Sequence, residues 1–259
     1  MRLKDRVAIV TGGGVGIGKA IALAFANEGA LLVLASRNQA NLEAVAGEIK
    51  AKGGRAIVIK TDVSDESQVK KLVAQTLGEY GKVDILVNNS GIAGPTAAVA
   101  DIELEGWNQT LSTDLTGAML CSREVLKDMI PRGSGNIINI SSLSGRQGLL
   151  FRSPYTASKW GLIGFTQTLS MEAGKHNIRV NCIAPGAVAG ERIENVIRAR
   201  AEASGITYEE AARQATSRSS LGRFVTSEEI ALTAIFLASD ESSGITGQTI
   251  SVDAGRTSL

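Results

Sequence analysis

Seven short apolar runs, most rich in β-branched residues, recur along the 259-residue chain, each separated from the next by a longer connecting stretch, several of helical period. They read VAIVT (7–11), LLVLAS (31–36), AIVIKT (56–61), DILVNN (84–89), NIINIS (136–141), RVNCIA (179–184) and TISVD (249–253). Runs this continuously apolar suit strands covered on both faces, and strands joined through helices lie parallel. The pattern predicts an α/β fold, a doubly wound seven-stranded parallel sheet. Leu42, Val45, Ala46 and Ile49 mark one amphipathic helix; Val69, Leu72, Val73, Thr76, Leu77 and Tyr80 mark another. Thr226 to Glu229, TSEE, has the spacing of a capping box ahead of an apolar helix. No repeat or linker divides the chain, so one domain is expected over 1–259. The Arg-, Glu-, Ala- and Ser-rich stretch at about 187–220 is helical in period and stands where a substrate lid would.

Composition narrows the partners. Lys and Arg number 27 against 26 Asp and Glu, a net charge of +1 with no long charged run, which argues for a small-molecule substrate rather than nucleic acid or membrane. His176 is the only histidine, which disfavours a zinc site and any triad needing a second imidazole. Cys121 and Cys182 are far apart, as expected of two buried thiols in a reducing compartment. No apolar run approaches the ~18 residues of a membrane span, so a cytoplasmic protein is expected.

TGGGVGIG, Thr11 to Gly18, joins the first strand to the first helix. Glycines there permit a tight turn and let a pyrophosphate approach the helix N-terminus, as in Rossmann-type dinucleotide sites. Gly12, Gly14, Gly16, Ile17 and Gly18 are the candidate cradle, spaced Gly12-x-x-x-Gly16-x-Gly18. A Walker loop is excluded because Ala20 stands where its hydroxyl residue belongs. At the end of the second strand, where an NAD site offers a carboxylate, residues 31–42 contain no acid; Ser36 and Arg37 stand there instead. A guanidinium grips a phosphate through two donors, so NADP is favoured over NAD.

Tyr155 precedes Lys159 by four residues, which makes them neighbours on one helical face. An ammonium beside a phenol favours the phenolate and so prepares a general acid. With these residues the chain resembles the single-domain branch of the short-chain dehydrogenase/reductase family from about Lys4 to Gly255. The matching pieces are TGGGVGIG, Asp62-Val63, NNSG (88–91), NIINISS (136–142), YTASK (155–159), PG (185–186) and ITGQTISVDAG. The resemblance implies Ser142, Tyr155 and Lys159 as catalytic residues, with Tyr155 and Lys159 also at the cofactor. It implies Asp62 and Val63 near the adenine, Asn88 supporting the strand beside the cofactor, Asn89, Pro185, Gly186 and Val188 as cofactor contacts, and a homotetramer. Ser142 would donate to the carbonyl of a ketone or aldehyde, and Ser141 and Ser144 would only cap local backbone.

Three positions depart from the family pattern: Ser90 replaces Ala, Gly190 replaces a Thr, and Asp114 replaces the catalytic Asn of the long fourth helix. The last brings a new charge, which would offset Lys159 if it faces the site. The change to Ser90 is small, but Asp114 and Gly190 give a rival expectation, an NAD(P)-binding regulatory or scaffold protein with little turnover. Related enoyl reductases space Tyr and Lys by seven, and sugar epimerases are longer with a shifted glycine pattern. Glu191, Arg192, Glu194, Arg198 and Arg200 hint at a polar or acidic substrate.

Overall fold

The computed structural model describes residues 1–217 and 219–256, except for the side chain of Arg192. Seven parallel strands, β1 (Val7–Thr11), β2 (Leu31–Ser36), β3 (Arg55–Lys60), β4 (Ile85–Asn88), β5 (Gly135–Ile140), β6 (Ile178–Pro185) and β7 (Thr249–Val252), form one sheet in the order β3-β2-β1-β4-β5-β6-β7. Each strand coincides with its predicted run to within a residue at either end. β1 shows why the runs are continuously apolar: Ala8 and Val10 enter the core on one face of the sheet, and Ile9 enters the core on the other.

Helices α1 (Gly16–Asn27) and α2 (Gln39–Ala51) cover the first face together with α9 (Ser227–Ala238), through Phe25, Leu42, Ile49 and Ile235. The second face is covered by α3 (Glu66–Tyr80), α5 (Gly117–Arg132) and α6 (Ser153–Gly174), through Leu72, Val125, Met129 and Leu169. The capping box forms as the sequence predicts, with the Thr226 hydroxyl accepting from the Glu229 amide and the Glu229 carboxylate accepting from the Thr226 amide. Cys121 and Cys182 are buried free thiols, and burial pushes them up to about 12 and about 11. Among the described residues no helix is long and apolar enough to cross a membrane.

α4 (Leu104–Leu111) runs into α5 through a π-helical turn at Ser112–Thr116. The extra residue of a π turn redirects one side chain inward, and here that side chain is Asp114, which is buried.

Residues 187–217 build α7 (Glu191–Ser204) and α8 (Tyr208–Thr216), which share a small core of their own from Ile197, Ala201, Ala211 and Ala215. This pair is tied to the sheet at its base. The Val225 amide donates to the Ala187 carbonyl at 3.0 Å, the Leu221 amide to Ala254 at 3.1 Å and the Ser220 amide to Gly255 at 3.2 Å. Gly190 opens α7 with φ +131° and ψ 176°, a conformation reserved for glycine. The threonine of the family pattern could not take this path, so the departure at 190 has a backbone cause.

Candidate active site

β1 and its neighbours β2 and β4 mark the point where the sheet order reverses, and a cleft opens there beyond the carboxyl ends of the strands. Thr11 ties the β1 and β4 ends together: its hydroxyl accepts from the amides of Asn89 (3.0 Å) and Ser90 (3.1 Å) and donates to the Val87 carbonyl at 3.2 Å. Asn89 returns the bond through Nδ2 to Thr11 O at 3.0 Å. Asn88 faces the other way, into the core, where Nδ2 donates to Asn139 Oδ1 at 2.8 Å and Ser122 Oγ at 3.0 Å. Its support of the strand is therefore direct.

A cavity of about 500 Å³ lies on this edge, and Gly12, Gly16, Ile17, Asn89, Ser142, Tyr155, Lys159, Pro185, Gly186 and Val188 all line it. These predicted residues come from positions 12 to 188 and converge on one space. The cradle fits a pyrophosphate. Val15, the N-cap of α1, supplies no side-chain cap, Gly16 has φ +53° with no heavy atom within 4 Å of where a Cβ would be, and Val15, Gly16 and Ile17 line the opening at a helix end whose first amides have no intrahelical partner. Gly14 and Gly18 serve differently. A Cβ on Gly14 would stand 3.0 Å from Asn41 Cβ on α2, and one on Gly18 would collide with the Gly12 carbonyl, so these two glycines allow close packing behind the cradle.

Ser36 ends β2, and Arg37, Asp62 and Val63 lie past the ends of β2 and β3; all four stand outside this cavity. Arg37 is exposed, with Nη1 4.0 Å from Asp62 Oδ2. Val63 is buried against Gly117, where a Cβ would come within 2.6 Å of Val63 Cγ2; only its backbone is left to face a ligand.

At the chemical end, Ser142 follows β5 and its Oγ accepts from the Ser144 amide at 3.1 Å, which leaves its own proton to donate. Ser141 reaches further than a local cap: its hydroxyl donates to the Lys159 carbonyl at 2.9 Å, pinning α6 to the end of β5. Lys159 is buried, and Nζ lies 3.2 Å from the Ile140 carbonyl, 3.3 Å from Asp114 Oδ2 and 5.5 Å from the Tyr155 ring centre. Asp114 Oδ1 accepts from the Ile92 amide at 2.7 Å, and Gly91 gives the carboxylate room, since a Cβ there would stand 3.1 Å from Oδ2. The carboxylate thus meets Lys159 from behind, and Asp114 itself does not line the cavity.

Of the charges on α7, Glu191 lines the cavity, whereas Arg198 lies 5.7 Å from the Tyr208 ring and Glu194 and Arg200 do not line the cavity; the Arg192 side chain lies outside the described residues. The hint of an acidic substrate therefore loses its cations among the described residues of α7. Leu149, Ile193 and Val196 supply apolar wall instead. Arg152 also lines the cavity, and no spacing in the sequence singled it out.

The profile of the family described as enoyl-(acyl carrier protein) reductase matches residues 13–257. A 3-oxoacyl-(acyl-carrier-protein) reductase of Thermotoga maritima is 37% identical over 255 residues, covering 98% of this chain and 99% of its own. Among solved structures, NAD+-bound xylitol dehydrogenase superposes with a TM-score of 0.96 at 30% identity, covering 98% of this chain and 100% of its own. A variant of actinorhodin polyketide ketoreductase with NADPH gives 0.93 at 34% identity, covering 98% of each chain.

Proposed function

The chain belongs to the short-chain dehydrogenase/reductase family, and from that premise we propose that it is an NADP-dependent oxidoreductase interconverting a ketone or aldehyde and its alcohol. The observation that carries the reading is the meeting of Ser142, Tyr155 and Lys159 with the open N-terminus of α1 on one cavity. The bound nicotinamide supplies or takes up the hydride. In the reducing direction Ser142 Oγ–H and the Tyr155 hydroxyl donate to the substrate oxygen, and Tyr155 gives up its proton as that oxygen becomes a hydroxyl. Lys159 has three N–H donors; with one directed to Ile140 O and one to Asp114, the third remains for the ribose hydroxyls.

Gly12, Gly16, Ile17 and Asn89 would hold the phosphates and ribose, with Pro185, Gly186 and Val188 beside the nicotinamide and Asp62 and Val63 by the adenine. Ser36 and the exposed Arg37 would receive a 2′-phosphate, which supports NADP. The helices at 191–216 act as the substrate lid of one catalytic domain, and the walls from Leu149, Ile193 and Val196 suit a substrate with an apolar flank. The spacing of four residues from Tyr155 to Lys159, not seven, favours carbonyl over enoyl reduction. Two buried free thiols fit the reducing cytoplasm.

The test is NADPH oxidation by the pure protein across ketones, aldehydes and enoyl thioesters. Carbonyl turnover is expected, and Tyr155→Phe, which keeps the ring and loses the proton, is expected to lower kcat by on the order of 10² or more. Near-normal turnover in that variant refutes the mechanism. NADPH binding without carbonyl turnover would instead establish the regulatory or scaffold reading, which the replacement of Asn by Asp114 favours.

A further inference from the structure

Arg152 is the residue just before α6, and only 4% of it is exposed. Arginine keeps its charge at any pH the fold tolerates, and buried arginines are paired. One of its contacts is mechanical: Nη2 donates to the Ala93 carbonyl at 2.7 Å, tying the loop after β4 to the start of α6. Another is electrostatic. The guanidinium carbon lies 5.0 Å from the centre of the Tyr155 ring, nearer than Lys159 Nζ at 5.5 Å. Lys159 is moreover shared with the buried Asp114 carboxylate at 3.3 Å. The ammonium four residues after Tyr155 therefore does not act on the phenol undivided.

We propose that Arg152 is a positioning residue for the acid–base step, its guanidinium favouring the Tyr155 phenolate and replacing the part of the Lys159 charge that Asp114 takes. The role rests on Tyr155 being the proton donor of the function proposed above. A cation near an aromatic ring is held by the negative potential of the ring face. Losing the phenolic proton deepens that potential, so the pair is stronger in the phenolate. Among the described residues, the other charged groups lining this cavity are Lys159 on the same helix, Glu191 from α7 and Arg256 after β7, with Asp114 behind Lys159 on the π turn. At a second such pair, burial holds the Tyr80 phenol above its usual range, and Arg55, 5.7 Å from the ring, acts against that rise.

Of the three tyrosines, Tyr80 and Tyr208 lie outside the cavity. In a Tyr80→Phe/Tyr208→Phe background, ultraviolet difference absorbance of tyrosinate reports Tyr155 alone, with no substrate or cofactor. Arg152→Gln is expected to raise the titration midpoint by about one pH unit, and Arg152→Lys, which keeps a cation, by less. An unmoved or lowered midpoint in the Gln variant, or a Lys variant that moves as far, overturns the proposal. Where Arg152→Gln does not fold, Lys159→Met/Asp114→Asn removes the other pair and leaves Arg152 in place. A midpoint at or below that of free tyrosine, about 10, then supports the role, and one above it overturns it. The titration needs no turnover, so the two failures are distinguishable: a protein that reduces no carbonyl refutes the proposed function and with it the acid–base role of Arg152, whereas an unmoved midpoint in a protein that does turn over refutes the role of Arg152 alone.

Discussion

Asp114→Asn is the sharpest probe of the charge arrangement, because it removes one charge and little else. Oδ1 accepts from the Ile92 amide at 2.7 Å, and the asparagine carbonyl can keep that bond, so the π turn has no reason to move. Asp114 Oδ2 is 3.3 Å from Lys159 Nζ, which is 5.5 Å from the Tyr155 ring centre, so the carboxylate oxygen lies no farther from the ring than the sum, 8.8 Å. At an effective dielectric constant of about 20, two unit charges that far apart repel by roughly 2 kcal/mol, which corresponds to roughly 1.4 pH units. Water entering the cavity screens part of this. Removing the carboxylate makes the phenolate easier to form, and alcohol oxidation requires the phenolate as base. The rising limb of kcat/KM for alcohol oxidation is therefore expected to move to lower pH by about one unit in Asp114→Asn. The assay is a steady-state pH profile of both proteins with the same alcohol and saturating NADP. A limb that stays in place or moves to higher pH would show that the carboxylate does not act on Tyr155.

Cofactor choice should follow Ser36 and Arg37: wild type is expected to show higher kcat/KM with NADPH than NADH, and Ser36→Asp, whose carboxylate accepts from a ribose hydroxyl and repels a 2′-phosphate, to reverse the order. A wild-type preference for NADH would refute that assignment. As the family resemblance implies, the protein is expected to be a homotetramer in solution; Trp160 and Met171 on α6, 50% and 82% exposed, and Leu104 on α4, 70% exposed, are apolar surface that partner helices would cover. Light scattering at micromolar concentration that returns the mass of one chain would refute it.

The fold was legible because parallel strands buried on both faces leave a plain signature; Ala8, Ile9 and Val10 are all apolar since the two cores each claim some of them. Ser142, Tyr155 and Lys159 could likewise be picked out, their spacing being tied to the end of β5 and the first turns of α6. Other features depend on contacts between distant segments. Gly14 and Gly18 look like cradle glycines in sequence, yet what they make room for is Asn41 and the Gly12 carbonyl. Asp114 announced a new charge, but only the π turn decides that it meets Lys159. Arg152 was invisible: a basic residue before a helix is ordinarily solvated, and nothing local tells that this one is buried over a tyrosine ring.

The ties at the base of α7 and α8 bear on the order in which a growing chain acquires its parts. Residues 220 and 221 are anchored by the carbonyls of Gly255 and Ala254, which follow β7 and so are made after all seven strands of the sheet. A nascent chain can lay down β1 to β6 and the cradle of α1 while the segment over the substrate end still lacks its fastening. The site is thus assembled phosphate end first, and a change at Ala254 or Gly255 acts on the last of these joints to form.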